Sequence, residues 1–309
     1  MTILVCGEAL YDVFVGEESP GGFALDGRIG GSAFNVAVGI ARLDRPVGLL
    51  TGISTDALGD KLVRSLQREG VVTDYLKRPD APTTLALVAL DEAGGARYQF
   101  YGEGAADRQV TPADLPALHG IDALVFGCFS LLTKPTGNSF LTLAAEAEGG
   151  PLVVLDPNVR PTVEPDMRVW RERVEAFAAH ADIIKASSDD MSDVYAEPAL
   201  DVAARWIAAG TRMVVLTEGG RGARLVLPSG DHHVPAHATD LVDTVGAGDS
   251  FLAALLTGLA ERGLLTRAAL GAMAPEHGLA VMHFASAAAA ITCSRRGADL
   301  PRRAEVMTG

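Results

Sequence analysis

Along the 309-residue chain, short apolar runs alternate with longer stretches whose apolar residues recur at helical spacing. The strand-like runs are "ILVCGEA" (3–9), "PVGLLTGIS" (46–54), "ALVFGCFS" (123–130), "LVVLDPN" (152–158), "DIIKAS" (182–187) and "MVVLTEG" (213–219). Helix-like stretches lie near 33–44, 57–69, 135–148, 166–180 and 199–209. Strands that are apolar throughout need cover on both faces, and intervening helices supply it. The pattern predicts an α/β fold with a mostly parallel sheet between helical layers. Ligands of such sheets gather at the carboxyl ends of the strands, where "DPNVRP", "KASSDD" and "TEGGRG" fall.

Two segments break the alternation. Residues 83–107, "TTLALVALDEAGGARYQFYGEGAAD", read as a β-hairpin turning at "DEAGGA", and residues 10–30 look extended around a Pro-Gly-Gly turn. Together they predict a small β-sheet inserted into the α/β core. A sheet with one polar and one apolar face suits a lid over a site; a structural appendage or dimer-forming sheet fits the same pattern. No internal repeat and no linker divides the chain. The expected organisation is one domain over 1–309, with a lid subdomain formed by about 10–30 and 83–107.

Composition narrows the function. A formal net charge of −13 argues against a nucleic-acid binder, which needs a basic face. A locally positive pocket for an anionic nucleotide remains compatible with it. The N-terminus "MTILVCGEAL" reads as a first strand and not as a leader. The nearest approach to a membrane span, "GLAVMHFASAAAAITC", is short and holds His283, so it reads as a packed helix. Cys6, Cys128 and Cys293 are odd in number and widely spaced, which suits a reducing cytoplasm.

Two glycine motifs carry candidate chemistry. In "DTVGAGDSF" (243–251), small residues precede an apolar helix, so the amides of Gly246, Ala247 and Gly248 suit an anion. Asp249 beside them suits a base that takes a proton from an attacking hydroxyl. Alone, "GAGD" reads as an Asp N-cap after a turn. The second motif, "GGSAFNVAVGIARL" (30–43), puts Gly30 and Gly31 before a helix with Asn35 in its first turn. Asp12 adds an acceptor suited to paired sugar hydroxyls. Neither motif is a Walker A loop, and no G-x-G-x-x-G follows the first strand.

Taken together, "GGSAFNVAVGIARL" and "DTVGAGDSFLAALL", in this order, resemble the two signatures of the ribokinase/PfkB carbohydrate kinase family. "GISTDALGD" (Gly52, Asp56, Gly59), "VVLTEGGRGA" and "AAAAITCSRRGADLP" extend the resemblance over nearly the whole chain. "ARYQFYGEGAADR" (96–108) and "LDPNVRP" (155–161) look most like fructokinases. The resemblance implies a ribokinase-like three-layer core with a β-sheet lid, and ATP with Mg2+ as cosubstrate and cofactor. It implies Asp249 as the base and Gly246, Ala247 and Gly248 as the anion hole. Asp12, Gly30, Gly31, Asn35, Tyr98, Phe100, Asn158 and Arg160 fall on the sugar side, with Arg160 also near the transferring phosphate. Lys185, Ser187, Thr217, Glu218, Gly219, Gly222 and Ser286 fall on the nucleotide side. Asp243, Val245, Thr292, Arg295 and Gly297 match a monovalent-cation (K+) site. The family's Asn-x-x-Glu motif appears as Ser187-Ser188-Asp189-Asp190, so Asp190 is the remaining candidate for a water-mediated magnesium contact.

The expected reaction is phosphorylation of a small sugar, foremost the 6-OH of fructose, without nucleic-acid or membrane partners. Ribose and 2-keto-3-deoxygluconate stay open as substrates, as does a sugar-binding regulator that has lost catalysis. A homodimer through an edge of the small sheet is the expected assembly. His232, His233 and His237 read as an exposed strand and loop, Trp170 and Trp206 as packing residues, and "RRGADLPRRAE" as a solvated end.

Overall fold

The computed structural model describes residues 2–90 and 96–307, so most of the expected "DEAGGA" turn lies outside the described residues. All six apolar runs become strands, because each can bury both faces. In chain order the strands are β1 (Thr2–Cys6), β2 (Leu10–Ser19), β3 (Gly22–Gly30), β4 (Val47–Gly52), β5 (Leu76–Lys77), β6 (Leu85–Leu90) and β7 (Ala96–Tyr101). β8 (Ile121–Gly127), β9 (Leu152–Asp156), β10 (Ile183–Ser187), β11 (Met213–Thr217), β12 (Ala223–Leu227) and β13 (Gly230–Val234) follow. The helices are α1 (Ser32–Arg42), α2 (Ala57–Arg68), α3 (Thr136–Glu146), α4 (Met167–Ala178), α5 (Ser188–Val194) and α6 (Ala199–Ala209). α7 (Ala247–Glu261), α8 (Arg267–Gly271), α9 (Pro275–Cys293) and α10 (Arg303–Met307) complete the chain.

Nine strands form the central sheet in the order β13-β12-β11-β10-β9-β8-β1-β4-β5. Pairing is parallel from β5 to β11 and antiparallel at the β12–β13 edge. Alternate residues feed two cores. Ile3 and Val5 join α1, α7 and α9 on one face, while Leu4 and Cys6 join α3, α4 and α6 on the other. Trp170 and Trp206 are buried in the second core, as their helical positions implied. The Ala-rich α9 packs on α7 at close range: a side chain at Gly258 would start 3.1 Å from Val281 Cγ1. No helix among the described residues is long and apolar enough to cross a membrane.

β1 sits between β4 and β8, so connections leave it in opposite directions and open a crevice at its carboxyl end. Beside that crevice stands the four-stranded sheet β3-β2-β6-β7. Its pairing places Phe100 opposite Ala86, and Ala86 opposite Asp12, so these three share one face. Tyr101 falls on the other face and is exposed. The hairpin is shorter than the expected 83–107: Gly102 to Asp107 return to the core, where the Thr84 hydroxyl donates to Asp107 at 2.7 Å. Burial pushes the Asp107 carboxyl up to about 7.

β13 is polar and mostly exposed, as the His232/His233 stretch implied, and it pairs with the apolar β12. One element departs from expectation. The basic C-terminal stretch is not simply solvated: Leu300 is buried, and Arg302 and Arg303 pair with Glu69 and Glu261.

Candidate active site

The first glycine motif builds one wall of the crevice. Gly31 precedes α1 with φ 103°, and a side chain there would start 2.7 Å from the Glu8 carbonyl oxygen. Glu8 is fully buried; its carboxylate accepts from the Ser32 amide at 2.8 Å and from the Ser130 hydroxyl at 2.6 Å. Sequence reasoning missed it. The signal was an acid directly after an apolar strand, at the position that faces a helix start.

The second motif builds the opposite wall. Gly246, at φ 78°, holds the N-cap position of α7, and Asp249 is the third residue of the helix. Asp249 therefore does not cap the helix. Its buried carboxylate crosses to α1, where Oδ1 accepts from the Ser32 hydroxyl at 2.6 Å and Oδ2 from the Asn35 amide at 2.8 Å. Asn158 Nδ2 donates to the same Ser32 hydroxyl at 2.7 Å. The two signatures, far apart in sequence, meet through this one carboxylate. Of the three expected anion-hole amides, that of Ala247 closes a turn on the Thr244 carbonyl at 3.2 Å, so an anion there has to displace that bond.

Cations approach the same point from β9 and β10. Lys185 is buried, and its ammonium lies 2.8 Å from Asp156 Oδ2 and 3.1 Å from where a side chain at Gly248 would start. It stands at the α7 start, on the strand that pairs with β11. Burial pushes the Asp156 carboxyl up to about 6, with Lys185 opposing and Asp190 and Asp249 reinforcing. Burial pulls Lys185 down, but Asp156, together with Asp190 and Asp249, outweighs this and holds the ammonium above its usual range. The Arg160 guanidinium donates to the carbonyls of Asn158 and Val159 at 3.2 and 3.0 Å. Burial opposes its charge, and Cys128, Asp249, Asp190 and Glu8 outweigh that.

Asp12 is half-buried on β2, and its Oδ2 would lie 2.3 Å from a side chain's first carbon at Gly30. Glycine there is what admits the carboxylate. Burial raises Asp12 to about 6, with Arg160 lowering and Asp249 raising it. Phe100 meets Phe129 edge-on at 5.7 Å, making an apolar wall. Tyr98 lies opposite Val88 in the β7 register, and its side chain lies outside the described residues.

The remaining candidates divide. Ser187 and Asp190 form a capping box on α5, and Asp190 Oδ1 also accepts from the Val159 amide at 2.6 Å. Three donors thus converge on the Asp190 carboxylate, which anchors the loop bearing Asn158 and Arg160. Asp190 therefore has a structural job that the expected magnesium contact does not include. Thr217, Glu218, Gly219 and Gly222 form the turn after β11, closed by the Glu218 amide on the Gly222 carbonyl at 2.7 Å. Glu218 faces His233 and Arg224 at 3.9 and 3.8 Å. Ser286 accepts from the His237 amide at 3.3 Å, tying α9 to the loop after β13. Asp243 accepts from the amides of Gly297 at 2.8 Å and Val245 at 3.1 Å, and its own amide donates to Cys293 O at 3.2 Å. Arg295 caps back on the Thr292 carbonyl at 3.0 Å, so all five cation-site candidates lie in two adjoining turns. Among the described residues, no three or more His, Cys, Asp or Glu side chains form a metal-holding group.

Fold and cleft define an α/β enzyme that works on a small polar molecule at the carboxyl edge of its sheet. A model of the pfkB family carbohydrate kinases matches residues 2–304, and the chain belongs to that family. It is a phosphotransferase with an alcohol group as acceptor. It is 36% identical to a fructokinase of Rhizobium leguminosarum bv. trifolii, over 86% of this chain and 82% of the relative. Identity to a Klebsiella pneumoniae fructokinase is 31%, over 90% of both chains. The structure of a fructokinase with bound ATP from Xylella fastidiosa superposes with a TM-score of 0.92 at 28% identity, covering 99% of this chain and 97% of that one.

Proposed function

We propose that this protein is an ATP-dependent fructokinase that phosphorylates the 6-OH of fructose with Asp249 as the base. The observation that carries the reading is the Asp249 carboxylate: Asn35 fixes one oxygen, and the other accepts an alcohol O–H from Ser32 at 2.6 Å. A substrate hydroxyl is the same chemical group, and it would take the Ser32 position or share it. In the reaction the sugar O–H bond breaks and its proton goes to Asp249. The new O–P bond forms as the P–O bond to ADP breaks.

Asp12, ionised at neutral pH, accepts from sugar hydroxyls, while Asn158 and Arg160 supply donors from the loop after β9. Phe100 and Phe129 cover an apolar face of the sugar and exclude water. The residues fit a nucleotide's phosphates at the α7 start: small residues keep the amides of Gly246 and Gly248 approachable, and Lys185 adds positive charge. Magnesium bound with the nucleotide supplies charge neutralisation on the phosphates. The turns at Asp243 and Gly297 suit K+, whose ligands would be backbone carbonyls there.

The single-domain organisation, with the β3-β2-β6-β7 sheet as a lid, is part of the same reading. So is a dimer through this sheet, supported by exposed Val15, Phe23, Leu25 and Tyr101. Three free cysteines suit a reducing cytoplasm. The test is a coupled ADP-release assay over fructose, ribose and 2-keto-3-deoxygluconate, with and without potassium. Fructose is expected to give the highest kcat/KM. Asp249→Asn is expected to lose about 10²- to 10⁴-fold in kcat while calorimetry still detects sugar binding. Near-normal turnover by that variant would remove Asp249 from the role.

A further inference from the structure

Lys185 is the one lysine among the described residues that is buried, and its counter-ion Asp156 is buried with it, at 3% and 2% exposure. A buried ion pair is a poor source of stability, because desolvating both charges costs about as much as their attraction returns. An apolar pair of the same volume would hold β9 against β10 at least as well. The geometry gives the charge a different use. The ammonium has three N–H donors, and one reaches Asp156 Oδ2 at 2.8 Å. The group stands 3.1 Å from where a side chain at Gly248 would start, so a glycine is what leaves its approach to the α7 start open. Asp156 Oδ1 is buried with no hydrogen-bond partner, so the carboxylate is held by Lys185 alone. The pair is therefore loosely anchored on the acid side and aimed at the helix start on the base side.

We propose that Lys185 is a catalytic cation for the phosphoryl group in transfer, and that Asp156 is the positioning residue that holds its ammonium against the start of α7. This rests on the kinase reading above. In the resting protein Asp156 neutralises the lysine and keeps it from pairing with Asp249. When the phosphoryl group reaches the Gly246–Gly248 amides, it draws one lysine N–H toward its oxygens, and Asp156 retains another. Lys185 moves no proton; it offsets negative charge that grows as the sugar oxygen attacks.

The test is a double-mutant cycle of Asp156→Asn, Lys185→Met and the two combined, read in two ways. In steady-state kinetics, Lys185→Met is expected to lose about 10²-fold in kcat, and Asp156→Asn about tenfold. The double variant should be no worse than Lys185→Met within about twofold, because a positioning residue has nothing to position once its target is gone. In calorimetry without turnover, Lys185→Met and Asp156→Asn should weaken a non-hydrolysable ATP analogue about tenfold more than ADP, since only the former presents the group to be transferred. Losses that multiply in the double variant, or equal losses for ADP and the analogue, would overturn the proposal. If Asp156→Asn melts below the assay temperature, Asp156→Leu with Lys185→Met restores an apolar pair and must match Lys185→Met alone. Wild-type protein inactive on fructose would defeat the fructose reading, while the binding arm still decides on the pair.

Discussion

The two helix starts that face each other across the crevice look alike in sequence and differ in use. α1 follows Gly31 at φ 103°, α7 follows Gly246 at φ 78°, and neither glycine offers a side-chain cap. Any helix start leaves unpaired amides and a positive dipole end. At α1 the chain fills it: Glu8 takes the Ser32 amide with its carboxylate and the Phe34 amide with its carbonyl. At α7, among the described residues, no carboxylate is bonded to the first-turn amides, and a lysine stands beside them instead. An anion site is thus defined less by the glycine motif than by what the fold places opposite. On the proposed reading, the closed start serves the sugar side and the open one takes the phosphate.

Substitutions at matched glycines sharpen this contrast. Gly248→Ala should raise the melting temperature, because alanine in a first helical turn is favoured by up to about 1 kcal/mol. The same methyl group displaces Lys185 and crowds the amides, so kcat should fall about 10²-fold. Stability and activity measured on one sample would break the comparison if both stayed unchanged. At the closed start, Gly31→Ala meets both a left-handed φ and the Glu8 carbonyl, and should cost about 1–3 kcal/mol of stability in chemical denaturation. A neutral result would mean that the α1 start is not rigidly held.

The smallest expected effect concerns pH. Asp12 is held near 6, above its ordinary 3.8, so it takes up a proton as pH falls through about 6 and loses acceptor capacity. The sugar KM should therefore rise about tenfold between pH 7.5 and pH 5. Asp12→Asn should have a higher KM that is flat over the same range. A wild-type KM equally flat would place Asp12 away from the sugar.

The core was legible because its strands are buried on both faces, and burial writes itself as continuous Val, Ile and Leu. The five internal helices followed from 3.6-residue spacing, with ends within a few residues of the observed bounds. What stayed hidden depended on long-range pairing. Glu8 stands out only as an acid after an apolar strand, which does not name the Ser32 amide as its partner, and Asp156 does not announce that it will hold Lys185. Asp190 is similar: the motif suggested magnesium, while the capping box and the Val159 amide claim its oxygens. Motif residues name the candidates, and tertiary contacts decide what each of them touches.

Amide NMR of the labelled protein, titrated with fructose and a non-hydrolysable ATP analogue, compares the two helix starts directly. The account expects the Gly246, Ala247 and Gly248 amide signals to shift strongly on nucleotide addition, with the Ser32 amide signal held in place by Glu8. A shifted Ser32 signal with unmoved Gly246–Gly248 signals would contradict it.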